Sequence, residues 1–180
     1  MDMPLHSWTA GASVAGVAVV VTVTLALLGG GPARAAPEGT YTVKLMTPET
    51  ALAAASAALE HCRKQGHQVA VAVVDRSGLL QVLLRDRFAG AHTVEFATNK
   101  AWTAASFKIA TAALGVETEA GKPMSGVRTQ PRVMPAGGGL VIESGGSLLG
   151  AIGVSGAPSG EADDACARTG IRAIADALDF

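Results

Sequence analysis

The stretch VAVAVVDRSGLLQVLLR, residues 69–85, decides the fold class of this 180-residue chain. Residues 69–75 are apolar at almost every position, on both faces of an extended strand, which predicts a strand buried in the centre of a sheet. Residues 75–78 form a typical turn sequence, and residues 79–85 predict the strand that returns beside the first. The stretch therefore predicts an antiparallel hairpin.

A second hairpin is predicted nearer the C-terminus, with strands over residues 140–143 and 148–155 around a turn at 144–146. Thr47 and Ser159 are typical helix caps that precede two of three predicted helices. The three helices cover residues 48–65, 93–114 and 160–178. The order α-ββ-α-ββ-α has no βαβ crossover, so it predicts an α+β domain with helices packed on an antiparallel sheet.

Composition excludes some classes of function. Lys and Arg number 14 against 15 Asp and Glu, and aromatic residues make up 4% of the chain. Nucleic-acid-binding proteins normally have a basic excess and aromatic side chains for stacking, so no nucleic-acid partner is expected. Nucleotide-binding glycine motifs, zinc-protease motifs and serine-nucleophile motifs do not occur, and the sequence shows no paired carboxylates for acid–base chemistry. The sequence therefore favours binding over catalysis.

Residues 1–35 are expected to form an export signal. Residues 14–28 are an apolar run of about 15 residues, which fits a signal core better than a membrane-spanning helix. Residues 33–35 (ARA) match a cleavage site, so the mature chain is expected to begin near Ala36, outside the cell. A retained membrane anchor is the alternative. After the signal, we expect a flexible arm and one folded domain, over residues 36–46 and 47–180.

The two cysteines allow two interpretations. Export leads to an oxidising compartment, in which Cys62 and Cys166 are able to form a disulfide. The sequence alone does not place them within bonding distance. The preferred interpretation is two buried, unpaired side chains that behave as small apolar residues.

The first predicted helix places His61 on a surface rich in alanine. At about 100° per residue, the stripe expected to face the core is formed by Leu52, Ala55, Leu59 and Cys62. His61 then lies nearly opposite Leu52 and points outward. Its neighbours on this surface are Ala54, Ala57 and Ala58. A smooth alanine surface suits a second subunit or a flat apolar ligand, and haem needs such a surface with one imidazole contact. An exposed histidine without a ligand is the alternative.

Other polar residues are candidate ligand contacts. His67 precedes the first strand and His92 begins the second helix, and for each a solvated surface histidine is the simpler interpretation. Arg85 and Lys100 are candidates to pair with ligand carboxylates, although such side chains are commonly solvated. Gly137–Gly139 is either an anion-binding backbone nest or, as we prefer, a close approach of the backbone to a strand.

Three blocks, residues 69–78 (VAVAVVDRSG), 99–107 (NKAWTAASF) and 137–167 (GGGLVIESGGSLLGAIGVSGAPSGEADDACA), resemble the GlcG/HbpS family in the same order. The resemblance spans roughly residues 47–178. It implies a profilin-like α+β fold, homo-oligomers of up to octamers, and haem binding in some members. As an exported chain, it is most similar to the branch that binds haem, responds to redox stress and contacts a membrane sensor kinase.

The resemblance also implies site residues. In the family branch linked to corrinoid adenosyltransferases, a histidine of the first helix ligates haem, and His61 is the matching position here. Thr111, or a ligand shared between subunits, is the alternative iron ligand. Lys100 or Arg85 is expected near the haem propionates.

Two further functions remain open alternatives. One is an accessory protein or enzyme of the GlcG type that binds a small hydroxy acid, whose carboxylate the Gly137–Gly139 loop and an arginine would hold. The other is an oligomeric interaction module without a ligand, in which the alanine surfaces serve only assembly.

Overall fold

A computed structural model describes residues 39–178 of the chain. The predicted export signal, residues 1–35, lies outside the described residues, so its cleavage stays a prediction. Residues 39–47 contain neither helix nor strand, and a compact unit begins at Thr42. Within the described range, no helix combines the length and the apolar character needed to span a bilayer.

The described residues form five α-helices and four β-strands. The helices are α1 (Pro48–Lys64), α2 (His92–Phe107), α3 (Thr111–Glu117), α4 (Gly160–Ala173) and α5 (Ala175–Leu178). The strands are β1 (Ala70–Asp75), β2 (Leu80–Arg85), β3 (Gly139–Ser144) and β4 (Ser147–Ser155). Both predicted hairpins and the predicted order of helices and hairpins are confirmed.

The four strands form one antiparallel sheet in the order β2-β1-β4-β3. Strand β1 lies in the middle between β2 and β4, as its apolar residues on both faces predict. Val71 and Val73 face a core shared with α1 and α4, whereas Ala70 and Ala72 face α2. The sheet therefore lies between two helical layers, which confirms the α+β fold class.

The second predicted helix is wrong in its extent. Instead of one helix to residue 114, α2 ends at Phe107, where Lys108 adopts a left-handed backbone conformation with φ 53°. A left-handed residue commonly ends a helix, and glycine is the usual one. Because a lysine occupies this position, the sequence gives no signal for the break before α3.

The predicted orientation of α1 is right for Ala55, Leu59 and Cys62, which are buried, and wrong for the rest. Leu52, placed in the core stripe, is 47% exposed, whereas Ala54 and Ala58, placed on the outward surface, are fully buried. This alanine surface packs against α4, where a Cβ on Gly170 would lie 3.0 Å from the Ala58 Cβ. His61 is half-buried at the flank of the buried surface, and it does not stand on an exposed alanine wall.

Cys62 of α1 and Cys166 of α4 form a disulfide, with a Cα–Cα distance of 5.6 Å. Both residues are buried, at 0% and 1% exposure. The preferred interpretation of two unpaired side chains is therefore wrong, and the disulfide fixes the contact between α1 and α4.

Candidate functional site

The histidines of the described residues meet at one end of the sheet, where β1 begins and β4 ends. His67 and His92 line a cleft of about 600 Å³, called the cleft below. His67 also lines a neighbouring cavity of about 320 Å³ together with His61, called the small cavity. Sequence reasoning selected each of these histidines separately, and the structure places them around two adjacent cavities.

An exposed aromatic side chain stands at the rim of the cleft. Phe88 lines the cleft and is 79% exposed. The Arg87 guanidinium lies 5.8 Å from the centroid of the Phe88 ring, within the range of a cation–π contact. The ring of His92 stacks edge-on against Phe96, with 5.3 Å between the ring centroids. The rim therefore offers an apolar ring and positive charge.

The cleft is also lined by a buried ion pair. Lys100 Nζ donates hydrogen bonds to Asp163 Oδ2 at 2.8 Å and to the Val154 carbonyl at 3.0 Å. Asp163 Oδ1 accepts a hydrogen bond from the Ala157 amide at 3.0 Å. Burial raises the pKa of the Asp163 carboxyl, and the contact with Lys100 opposes that rise. Lys100 was a candidate to pair with a ligand carboxylate, with a solvated charge as the alternative; its ammonium is buried and pairs with Asp163.

The triple-glycine loop is not a free anion nest. The Gly138 amide donates to Asp164 Oδ1 at 2.6 Å, and the Gly139 amide donates to Thr111 Oγ1 at 2.9 Å. A Cβ on Gly138 would collide with the carbonyl oxygen of Val154 in strand β4. The preferred interpretation, a close backbone approach, is confirmed. A ligand carboxylate held by these two amides, as the hydroxy-acid alternative required, is not supported.

Thr111 and Arg85 serve the scaffold. Thr111 is fully buried, and its hydroxyl donates to the Ala136 carbonyl at 2.6 Å. It lines neither cavity, so the structure does not support it as an alternative iron ligand. Arg85 Nη1 donates to the Ala89 carbonyl at 2.6 Å, and Arg85 also lines neither cavity. Its expected place near the propionates is therefore not supported.

Sequence reasoning missed a second ion pair beside the cleft. Arg63 Nε lies 2.6 Å from Asp86 Oδ2, and Arg63 Nη2 lies 3.1 Å from Asp86 Oδ1. The hydrogen bonds from Arg63 hold the pKa of the Asp86 carboxyl below its usual value. The pair joins the end of α1 to the loop that carries Phe88. The two partners are 23 residues apart, so no local pattern could have revealed it.

Protein side chains do not form a multi-ligand metal centre in residues 39–178, because no three His, Cys, Asp or Glu side chains gather there.

Known proteins are similar to this chain in sequence and in fold. A family model described as "Haem degrading protein HbpS-like" matches residues 46–172. The corrinoid adenosyltransferase PduO of Salmonella typhimurium is 36% identical over 120 residues, which cover 66% of this chain and 35% of PduO. This chain thus spans little more than a third of that relative.

Two solved structures are similar over most of the chain. A crystal structure of a double mutant of Streptomyces reticuli HbpS has a TM-score of 0.71 and 34% identity, and the match covers 79% of this chain and 95% of that one. The crystal structure of a PduOC–haem complex has a TM-score of 0.69 and 32% identity, covering 73% of this chain and 96% of that one.

Proposed function

This chain belongs to the HbpS-like family, and on that premise we propose that it is an extracellular haem-binding protein. It would sequester haem or report redox stress to a membrane sensor kinase. One observation carries the haem assignment: His61, His67 and His92 line two adjacent cavities beside the exposed ring of Phe88.

The described residues fit a haem. The cleft volume lies within the usual range of ligand pockets, about 300–1,000 Å³. Haem iron is held by the porphyrin nitrogens, so a single imidazole suffices as protein ligand, and no cluster of three side chains is required. When bound, haem would supply an iron centre for redox chemistry. An exposed aromatic ring such as Phe88 offers a flat apolar surface for the porphyrin.

The three histidines are divided between the two cavities, so that substitutions can distinguish the iron ligand. His61 lines only the small cavity and remains the ligand that the family resemblance predicts. His92 lines only the cleft, whereas His67 lines both. Loss of His67 is therefore expected to weaken binding in either location, and the other two histidines report which location is used.

The test is a hemin titration read by the Soret absorbance band. The wild-type protein is expected to bind hemin stoichiometrically with a shifted Soret band, and His61→Ala, His67→Ala and His92→Ala are titrated in parallel. Phe88→Ala is expected to weaken binding, whereas Leu79→Ala is the control, because Leu79 is 67% exposed in the β1–β2 turn away from the cleft. The absence of any Soret shift with wild-type protein would contradict haem binding.

Two features support the extracellular location. Residues 14–28 and 33–35 have the pattern of a cleavable signal, and disulfides such as Cys62–Cys166 are typical of oxidising compartments. Intact-mass measurement of the protein from culture medium should give a chain that begins near Ala36. Recovery of the uncleaved chain with the cell membranes would instead favour the retained anchor.

Assembly and signalling complete the proposal, and both are supported by the family resemblance. Light scattering of the purified protein should give the mass of a homo-oligomer, up to an octamer. Autophosphorylation of a reconstituted membrane sensor kinase should change when the protein is added with hemin. A protein that stays monomeric at all concentrations would contradict the proposed assembly. A kinase whose activity does not change would contradict the proposed signalling.

A further inference from the structure

Ser155 presents to the cleft a hydroxyl without a partner among the described residues. It is the last residue of β4, it is 4% exposed, and it lines the cleft. Within residues 39–178 its hydroxyl makes no hydrogen bond. Its oxygen is open to the cleft, because Gln81 Oε1 is the one fully buried side-chain nitrogen or oxygen of the described residues that lacks a partner. A hydroxyl that has no protein partner and opens into a cleft is available to a ligand.

Strand geometry places this hydroxyl on the same side of the sheet as Lys100. Side chains alternate along a strand, so Ser155 shares a face of β4 with Ala151, which packs against α2. Its partner in the register of β1 is Ala70, which faces the same helix. Lys100 extends from α2 to the end of β4, where its ammonium contacts Val154.

Lys100 retains one donor for a ligand. An ammonium carries three protons, and two of these are donated to Asp163 and to the Val154 carbonyl. No acceptor for the third lies among residues 39–178. Because Lys100 also lines the cleft, an N–H and an O–H group without acceptors face the same space.

The charges around these donors favour an anion. Asp163 is the only carboxylate among the described residues that line the cleft, and both its oxygens already accept hydrogen bonds. Lys100 thus keeps a donor without a partner, whereas each oxygen of the Asp163 carboxylate already has one.

We propose that the end of the cleft formed by Ser155 and Lys100 is a carboxylate-binding subsite, in which Ser155 Oγ and Lys100 Nζ donate to the carboxylate oxygens. The carboxylate is either a propionate side chain of haem, in which case the subsite rests on the proposed function, or a free short-chain carboxylic acid. Both sources present the same chemistry to these donors.

The test compares two serines of one strand. Ser155→Ala removes the hydroxyl in the cleft, and Ser147→Ala is the matched control, because Ser147 is exposed at the opposite end of β4. Each variant and the wild type are titrated with hemin, with hemin dimethyl ester, whose propionates are blocked, and with free propionate. Thermal unfolding of all three proteins checks that the variants fold equally.

If a haem propionate occupies the subsite, Ser155→Ala binds hemin about tenfold more weakly than wild type, and the two bind the dimethyl ester equally. If a free acid occupies it, propionate binds wild type and Ser147→Ala but not Ser155→Ala, whether or not hemin binds. The proposal is overturned if Ser155→Ala matches the wild type with both hemin and propionate, or if the wild type binds neither. If the wild type binds propionate but not hemin, the proposed haem function fails while the carboxylate subsite stands.

Discussion

Lys100 and Asp163 form a buried ion pair between α2 and α4, with 2.8 Å between Nζ and Oδ2 and side-chain exposures of 6% and 5%. The partners are 63 residues apart in the sequence. Gly138 leaves room for the pair, since a Cβ there would lie 2.9 Å from Lys100 Nζ. The pair therefore fixes α2 and the start of α4 around the end of β4, where the cleft lies.

Removing one partner of this pair should destabilise the protein strongly. Lys100→Met leaves the Asp163 carboxylate buried without a counter-ion, which is expected to lower the free energy of unfolding by about 3–5 kcal/mol. Urea unfolding measures the change. The matched control is Lys64→Met, because Lys64 also lies 2.8 Å from a carboxylate, that of Glu60, but with both side chains exposed.

For the Lys64 variant we expect a change of about 1 kcal/mol or less, as for exposed ion pairs generally. If both lysine variants lose the same free energy of unfolding, burial does not set the strength of the Lys100–Asp163 contact. Adding Asp163→Leu to Lys100→Met should recover part of the loss, because it removes the uncompensated charge.

The Cys62–Cys166 disulfide should stabilise the domain, because it closes a loop of 104 residues in the unfolded chain. Replacing both cysteines by alanine is expected to lower the free energy of unfolding by about 2–5 kcal/mol. The native oxidised protein should show no titratable thiol. In a reducing buffer, the wild type and the double variant should unfold at similar urea concentrations. If the wild type stays more stable there, the lost stability comes from the packing of the cysteine side chains and not from the disulfide.

The hairpins were predictable because their signals are local. In the turn between β1 and β2, Asp75 Oδ1 accepts hydrogen bonds from the amides of Ser77 and Leu79, which are the contacts that an aspartate in a turn sequence supplies. The fold class followed from the two hairpins and the helices around them.

The exposure of Leu52 in α1 was not predictable from the size of its side chain. The helical periodicity placed Leu52 in the core, because large apolar residues are commonly buried. However, α4 approaches α1 at Gly170, where only small side chains fit. Ala54 and Ala58 are therefore buried, and Leu52 is displaced toward solvent. At the close contact with α4, small side chains are therefore buried where the larger Leu52 would not fit.

The candidate site was only partly predictable, because its contacts join distant parts of the chain. The three histidines were recognised one by one, but nothing local indicated that His67 borders both cavities. Ser155 is an ordinary strand residue in the sequence, and Lys100 gave no sign of its partner on α4. These features depend on the tertiary arrangement of β4, α2 and α4.

Stability should depend on Asp86 in acid. The hydrogen bonds from Arg63 lower the pKa of the Asp86 carboxyl in the folded protein. A carboxyl with a lowered folded pKa stabilises the protein above its unfolded pKa, about 3.9, and this contribution is lost as the pH falls through the folded pKa. Asp86→Asn should therefore be less stable than the wild type at pH 7, and the difference should shrink below pH about 4.

Unfolding by urea at a series of pH values measures this dependence. Glu119→Gln is a suitable control, since its ion pair with Lys122 spans 3.9 Å and Glu119 is 61% exposed. A difference between Asp86→Asn and wild type that stays constant from pH 7 to pH 3 would show that the charge of Asp86 does not contribute.

The end of α2 offers a stabilising change. Lys108 is the one non-glycine residue of the described range with a positive φ, at 53°. Left-handed backbone costs a residue with a Cβ about 1–2 kcal/mol, whereas glycine adopts it freely. Because glycine also gains entropy in the unfolded chain, Lys108→Gly is expected to stabilise the protein by a net amount of about 1 kcal/mol, or roughly 2–4 °C in Tm. Lys108→Ala keeps the Cβ and should bring no such gain. If both variants raise Tm equally, the cause lies in the lysine side chain and the backbone strain is not what limits stability at this helix end.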